Sequence, residues 1–270
     1  VLTADRPPEL RHSGANQTID QVKIYGDQVL WSVDMPLPEE EPSDVAIRNL
    51  QATAHRAYAV ANGIRKGAVH LNFPFRKPLH GDGQELSIIH YPLSINTGKL
   101  LPTSAQIDEL AAMVDEFPRG LIVCGPRCPR DGFPAAVTAL SHKIGYPILA
   151  DPLSNVRWGT HAQSPIPNPR SPLSGYETYL RHDPDWDEPQ VIIRFGAVPI
   201  SKWLNEYLGR IAPAHRVHVR ANGVWADDSH RTSNFLQADE AETCNLLTAR
   251  VNERGDRGWE TAVYAQESTH

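Results

Sequence analysis

A polar loop near the start of the chain carries residue types that bind carboxylates. It runs from Asp5 to Gln17 and reads DRPPELRHSGANQ. The planar guanidinium of Arg6 matches a carboxylate, and the amides of Asn16 and Gln17 offer both donors and acceptors. On spacing alone, the commoner arrangement is that Arg6 pairs with Asp5 or Glu9 and that Asn16 caps the next helix. The loop therefore needs further support before it counts as a binding site.

Lys202 is a second candidate for binding an anion. It ends the segment Gly196-Ala-Val-Pro-Ile-Ser-Lys202, between a predicted strand and a predicted helix. Ligands of open α/β sheets gather at the carboxyl ends of strands, and helix N-termini attract anions. Lys202 suits an anionic ligand for these reasons, although a single surface lysine is more often only solvated.

Other polar residues give weaker signals. Asp151 and Arg157 follow a predicted strand, where they could line a crevice or pair with each other. Arg127 and Arg130 lie in a proline-rich loop, where solvation is the usual outcome. The twelve histidines are scattered, and none is spaced with a Cys or Ser as in a nucleophilic site.

No cofactor or metal motif is convincing. A dinucleotide fingerprint, G-x-G-x-x-G after a strand, is absent. Gly81-Asp82-Gly83 matches the magnesium triplet of thiamine-diphosphate enzymes, but it does not follow a buried strand, and Asn96 lies too close to serve as the second ligand. We interpret the triplet as a linker turn. Cys124 and Cys128 lack a second Cys/His pair at zinc spacing, so the sequence predicts no metal site.

Composition narrows the class of protein. A length of 270 residues allows one large domain or two ordinary ones. The net charge of −6 argues against a general nucleic-acid binder, and no apolar run approaches the length of a membrane span. Three sparse cysteines indicate reduced thiols in a cytoplasmic protein.

The apolar pattern predicts alternating strands and helices. In the first part, a helix begins at the N-cap Ser43 and ends near Gly63, a buried strand covers Gly67–Pro74, and Thr18–Tyr25 forms one or two helical turns. In the second part, the short connections predict a parallel α/β sheet with helices on both faces. Its predicted helices are 103–117, 133–144, 176–181, 201–211 and 240–251, and its strands are 120–124, 146–150, 190–195, 215–219 and 234–237.

This pattern divides the chain into an α/β segment at 1–78, a linker at 79–102, an α/β domain at 103–258 and a tail at 259–270. The first segment has about half the length of an ordinary α/β domain. It also begins on a strand without an initiator Met. We therefore expect the chain to be a fragment of a larger protein.

Several segments together resemble one known family, the 2-succinyl-5-enolpyruvyl-6-hydroxy-3-cyclohexene-1-carboxylate (SEPHCHC) synthases, which are thiamine-diphosphate enzymes of menaquinone biosynthesis. The resemblance follows the order of the chain over nearly its whole length. The segments that carry it are TADRPPELR at 3–11, GANQTIDQ at 14–21, VHLNFPFR at 69–76, ADPLSNVR at 150–157, PISK at 199–202 and SHRTSN at 229–234.

The resemblance implies the second half of a pyrimidine-binding α/β domain, followed by a Rossmann-like central domain with a parallel sheet. The glutamate that activates the cofactor and the domain that holds Mg²⁺ and the diphosphate would lie outside the chain. The parent enzyme would use thiamine diphosphate and Mg²⁺ and would be a homodimer or homotetramer. The chain alone is expected to be inactive and to bind neither cofactor.

The implied reaction is the decarboxylation of 2-oxoglutarate and the addition of the resulting succinyl-semialdehyde carbanion to isochorismate. By match to the family's motifs, Arg6 and Lys202 would contact substrate carboxylates. Asn16 and Gln17 would hydrogen-bond the substrate or the cofactor-bound intermediate, and Gln17 would also contact the cofactor. Trp203 stands where some relatives place an arginine, and Ala68 stands where proline is usual.

Two alternatives remain open from the sequence. One is another thiamine-diphosphate enzyme, such as an acetolactate synthase or a 2-oxoacid decarboxylase, which an assay with pyruvate would reveal. The other is a non-catalytic Rossmann-like module that binds a nucleotide or an aromatic acid, which ligand-induced thermal shifts would reveal.

Overall fold

The computed structural model describes residues 1–79, 94–157, 172–182 and 184–269, without the side chains of 268 and 269. The chain forms two compact units, Val1–Gly98 and Lys99–His270. The division falls within the predicted linker 79–102, and the predicted domain limits otherwise stay a prediction. Gly81-Asp82-Gly83 lies outside the described residues.

The first unit contains a parallel sheet of three strands. Strands β1 (Leu2–Asp5) and β2 (Trp31–Asp34) flank β3 (Val69–Pro74) on either side. Helix α1 (Asp44–Ala61) begins at Ser43, whose hydroxyl accepts the backbone N–H of Ala46. That cap confirms the predicted start of the helix. A small core joins the helix and the sheet through Met35, Ala57, Val69 and Leu71.

The predicted helical turns at Thr18–Tyr25 are wrong. The chain forms irregular turns there, followed by a short 3₁₀ helix at Gly26–Gln28. Lys23 and Gly26 both have positive φ angles, 59° and 47°. A right-handed helix cannot continue through that conformation.

The second unit contains a parallel sheet of five strands in the order β5-β4-β6-β7-β8. This confirms the predicted α/β fold with a parallel sheet. The chain leaves β4 toward one edge and later returns to β6 on its other side, so the two strands flank the topological switch point. The strands are β4 (Gly120–Cys124), β5 (Ile148–Ala150), β6 (Val191–Phe195), β7 (His215–Val219) and β8 (Asn234–Leu236).

Helices cover both faces of this sheet. Ile122 and Cys124 of β4 point into one core with α2 (Ser104–Glu116), α3 (Phe133–Ile144) and α6 (Glu240–Arg250). The alternate residues Leu121 and Val123 point into the other core with α4 (Tyr176–Tyr179), α5 (Lys202–Arg210) and α7 (Gly258–Thr269). A strand buried on both faces reads as a continuous apolar run, which is why β4 was predictable residue by residue.

The last helix, α7, lies where the sequence pattern indicates only a tail. Residues 259–270 were predicted to be a tail, but α7 covers most of them. Val263 is fully buried in the second core, and the indole Nε1 of Trp259 donates to the Gly120 carbonyl over 2.8 Å. The apolar positions are too few for a clear helical period, so tertiary contacts define this helix.

Within the described residues, no helix combines the length and the apolar character that crossing a membrane requires.

Candidate functional site

The polar loop leaves the carboxyl end of β1, where polar side chains from all three strands of the first unit meet. Asn72 lies in the central strand, next to Thr3 of β1 and Asp34 of β2. Its Nδ2 donates to Asp5 Oδ2 at 2.9 Å and to Asp34 Oδ1 at 2.8 Å. Its Oδ1 accepts the Thr3 hydroxyl at 2.8 Å. The buried amide thus joins the ends of the three strands and leaves none of its polar atoms unpaired.

Arg11 places a cation between the two carboxylates. Its Nη1 and Nη2 donate to the two oxygens of Asp34 over 2.7 and 3.0 Å, and Nη2 also lies 2.9 Å from Asp5 Oδ2. Only 14% of the Arg11 side chain is exposed. The hydrogen bond from Arg11 holds the pKa of Asp34 below its usual value and in turn raises the pKa of Arg11. The lowered pKa favours the charged form of Asp34 in the folded unit.

Gln21 fixes the other end of the loop. Its Nε2 donates to the Ala4 carbonyl and to Asn72 Oδ1, both at 2.9 Å. Arg11 attaches the loop to β1 and β2, and Gln21 attaches it to β1 and β3. Residues 6–21, called the Arg6 loop below, are held by the side chains of Arg11 and Gln21.

Within this loop, the structure brings Arg6 and Gln17 together. Arg6 Nη2 donates to Gln17 Oε1 over 2.8 Å. Gln17 has a φ of 57°, in the left-handed region that residues with a Cβ seldom adopt. The side chain of Gln17 is exposed and that of Arg6 is partly exposed. The pair presents guanidinium and amide donors to solvent.

The simpler pairings expected for these residues do not occur. Glu9 is paired with Arg76 over 2.6 Å, and Asp5 is engaged by Arg11 and by the backbone N–H of Arg6. Asn16 caps no helix, because the residues that follow it form turns. Its side chain is exposed.

Lys202 lies in the second unit and is the first residue of α5. Ser201 caps the helix, accepting the backbone N–H of Leu204 at 3.1 Å. The Lys202 side chain is 73% exposed, and its Nζ lies 3.7 Å from Glu206 and 5.0 Å from the Trp203 ring centre. The guanidinium of Arg181 lies 5.6 Å from the centre of the same ring. A second cation is therefore present near Lys202, although Trp203 stands where some relatives have an arginine.

The weaker candidates have structural partners. Arg157 donates to the Ser174 carbonyl over 2.7 Å, and Asp151 accepts backbone N–H groups. Arg127 and Arg130 are exposed, as expected for a solvated loop. Cys124 and Cys128 are buried free thiols, and burial raises the pKa of Cys128 well above its ordinary value.

Sequence reasoning missed the residues that hold the Arg6 loop. Asp34 and Asn72 are polar residues at the end of or inside apolar strands, and such residues need partners. That signal could have identified both. The roles of Arg11 and Gln21 could not be read from spacing, because their partners are distant in the sequence.

The described residues can be compared with what a cofactor would need. Among them, no cluster of three or more His, Cys, Asp or Glu side chains could hold a metal ion. The exposed amides of Asn16 and Gln17 suit a ligand edge that presents both donors and acceptors.

Solved structures share the fold. An X-ray structure from Mycobacterium smegmatis, provisionally assigned as a thiamin diphosphate-dependent enzyme, matches 95% of this chain and 46% of its own with a TM-score of 0.57 at 19% identity. Benzoylformate decarboxylase from Polynucleobacter necessarius matches 95% of this chain and 45% of its own, with a TM-score of 0.55 at 15% identity. These likenesses establish the fold.

Sequence comparison is more specific. No protein-family model matches the chain. SEPHCHC synthases match it at 48% identity in Roseiflexus castenholzii, 46% in Roseiflexus sp. strain RS-1 and 37% in Haloquadratum walsbyi. The matches cover 94%, 94% and 100% of this chain and 44% of each relative. The chain therefore belongs to the family of 2-succinyl-5-enolpyruvyl-6-hydroxy-3-cyclohexene-1-carboxylate synthases and spans about half the length of the curated members it matches.

Proposed function

We propose that this chain is part of a thiamine-diphosphate-dependent synthase that joins the succinyl-semialdehyde unit of 2-oxoglutarate to isochorismate. The observation that carries the proposal is the Arg6–Gln17 pair, exposed on a loop that a partly buried ionic network holds in place. Such an arrangement presents a fixed donor set to a carboxylate.

Arg6 would bind a substrate carboxylate. Gln17 takes one of its donors, Nη2, and orients the planar group. The remaining donors can form the bidentate contact that a carboxylate favours. Because both proposed substrates carry carboxylates while the chain has a net charge of −6, local cations are needed to hold them.

Asn16 and Gln17 would supply neutral hydrogen bonds. Each amide can donate and accept, so the two can fix the orientation of a substrate or contact the cofactor's polar edge. Thiamine diphosphate, when bound with Mg²⁺, would supply the electron sink for the loss of CO₂. The residues of this chain would orient the substrates and balance their charge.

Lys202 would contribute a second carboxylate contact. Its present partner, Glu206, is 3.7 Å away, and both side chains are mostly exposed. Ion pairs of this kind contribute little to stability. The ammonium group is therefore free to exchange Glu206 for a substrate carboxylate at small cost.

We expect the complete protein to work as a homodimer or homotetramer.

Product analysis tests the proposal. The complete protein carrying this sequence is supplied with thiamine diphosphate and Mg²⁺ and offered 2-oxoglutarate with isochorismate, or pyruvate alone. We expect SEPHCHC from the first mixture and no product from pyruvate. Acetolactate or an aldehyde from pyruvate would instead assign another thiamine-diphosphate reaction. The lack of turnover in both, together with a thermal shift on adding a nucleotide or an aromatic acid, would favour a binding module.

A further inference from the structure

The segment before Lys202 is held in a fixed conformation. Residues 196–201, called the strap below, connect β6 to α5 at the carboxyl edge of the second sheet. The strap adds no strand or helix of its own. Its position depends on contacts with the loops after β4 and β5 and with strand β7.

The first contact is close packing of backbone on backbone. Ala197 N donates to the Pro126 carbonyl over 2.7 Å, and Gly125 N donates to Phe195 O over 2.9 Å. A Cβ added at Gly125 would overlap the carbonyl oxygen of Ala197. Gly196 has a φ of 78°, and a Cβ there would lie 2.6 Å from the Gly125 carbonyl oxygen. The two glycines allow the loops after β4 and β6 to touch.

The second contact is a buried histidine. His218 Nε2 lies 3.1 Å from the Gly196 carbonyl oxygen. Because a carbonyl only accepts, the ring proton is assigned to Nε2. Burial lowers the pKa of His218 to about 4, so the ring is neutral near pH 7. This contact fixes the β6 end of the strap.

The third contact is made by Asp151, which is fully buried. One carboxylate oxygen accepts the backbone N–H of Leu153 and the other accepts that of Ile200, both at 2.8 Å. The side chains of Ile200 and Leu153 are 61% and 59% exposed, so they add little packing at this point. Asn205 of α5 also donates to the Pro199 carbonyl over 2.7 Å.

Only a carboxylate can make both Asp151 contacts at once. An asparagine in the same place has one acceptor oxygen and would turn its NH₂ group toward the other N–H donor. Ile200 lies two residues before Lys202, at the end of the strap that sets where α5 begins. The backbone position of Lys202 is thus linked to a buried acidic side chain after β5.

We propose that Asp151 is a positioning residue for Lys202, acting through the strap. The inference rests on the proposed role of Lys202 at a substrate carboxylate. Asp151 itself is fully buried and makes its contacts with backbone amides. Its effect reaches the ligand only through the ammonium group of Lys202.

Enzyme kinetics on Asp151→Asn in the complete protein tests this. With Nδ2 facing Ile200 the strap shifts, and we expect KM for the carboxylate substrate held by Lys202 to rise by roughly ten- to a hundredfold, with a smaller change in kcat. In a Lys202→Met background, Asp151→Asn should change KM no further. Additive effects of the two substitutions, or an unchanged KM in Asp151→Asn, would overturn the inference.

Asp239→Ala is the matched control. It removes another carboxylate that accepts a backbone N–H, the N-cap of α6 bonded to Glu242 N at 2.9 Å. We expect a lower Tm without the rise in KM, and an equal rise in KM would reduce Asp151 to a structural role. A wild-type protein that does not turn over these substrates would refute the proposed function instead.

A measurement on the unmodified chain covers the case in which Asp151→Asn does not fold. Leu153 and Ile200 have exposed side chains and lie outside helices and strands, yet their N–H groups are bonded to a buried carboxylate. We expect both amides to be protected in native-state hydrogen exchange. Exchange at unprotected rates would show that the anchor does not exist and would overturn the inference.

Discussion

The Arg6 loop and the strap before Lys202 both present a cation, but different forces hold them. In the Arg6 loop, hydrogen bonds and ion pairs between charged and amide side chains hold the backbone, with Arg11 between Asp5 and Asp34. In the strap, backbone packs on backbone at Gly125, and one buried carboxylate adds two hydrogen bonds. The loop should therefore be sensitive to changes in side-chain charge, and the strap to changes in side-chain volume.

The largest effect is expected from Gly125→Ala. The new methyl group would overlap the Ala197 carbonyl, and neither backbone can move without breaking its hydrogen bonds. We expect the free energy of unfolding of the second unit to fall by about 3 kcal/mol, measured by urea denaturation. Gly209→Ala in α5 is the control, because a Cβ there meets nothing within 4 Å. It should be neutral or stabilise by roughly 0.5–1 kcal/mol. Equal stability of the two variants would contradict tight packing at the strap.

The next effect concerns pH and His218. Its pKa is lowered by burial to about 4, whereas an unfolded histidine titrates near 6.5. Stability from the neutral ring is therefore complete above about pH 6.5 and is lost as the pH falls toward 4, by up to roughly 3 kcal/mol. His218→Gln keeps a donor for Gly196 and should remove this dependence. The readout is the difference between wild type and variant across pH, in which contributions common to both proteins, such as that of buried His70, cancel. If the stability of wild type and of His218→Gln changed with pH in the same way, the lowered pKa of His218 would be contradicted.

A smaller effect is expected from Arg11→Met in the first unit. Removing the cation leaves two carboxylates facing each other, and we expect a loss of about 1–3 kcal/mol near pH 7. Because Arg11 lowers the pKa of Asp34, this contribution is present above the ordinary carboxyl pKa and fades as the pH falls below about 4. Urea denaturation at pH 7 and pH 3 measures it.

Arg76→Met is the matched control for that prediction. It breaks the pair between Arg76 and Glu9, whose length of 2.6 Å is similar. At least half of each of these two side chains is exposed. We expect little change in stability. If Arg76→Met were as damaging as Arg11→Met, burial would not be what makes the Arg11 network stabilising.

The sequence predicted the framework well and the networks poorly. The run Gly120–Cys124 and the cap at Ser43 are local signals, and both occur in the structure as predicted. Helix α7 and the turns at Thr18–Tyr25 depend on tertiary contacts and on positive φ angles, which periodicity does not report. Asn72 unites residues from three strands, a relation that only the fold creates.

The proposed role of Arg6 is to bind a substrate carboxylate through its planar guanidinium group. The direct measurement is kcat/KM of the complete protein with 2-oxoglutarate and isochorismate, comparing wild type with Arg6→Lys and with Arg48→Lys, an exposed arginine on α1. Lysine keeps the charge but loses the fork and the contact with Gln17, so we expect Arg6→Lys to lower kcat/KM by about a hundredfold and Arg48→Lys to leave it unchanged. Equal kcat/KM values for wild type and Arg6→Lys would contradict the account.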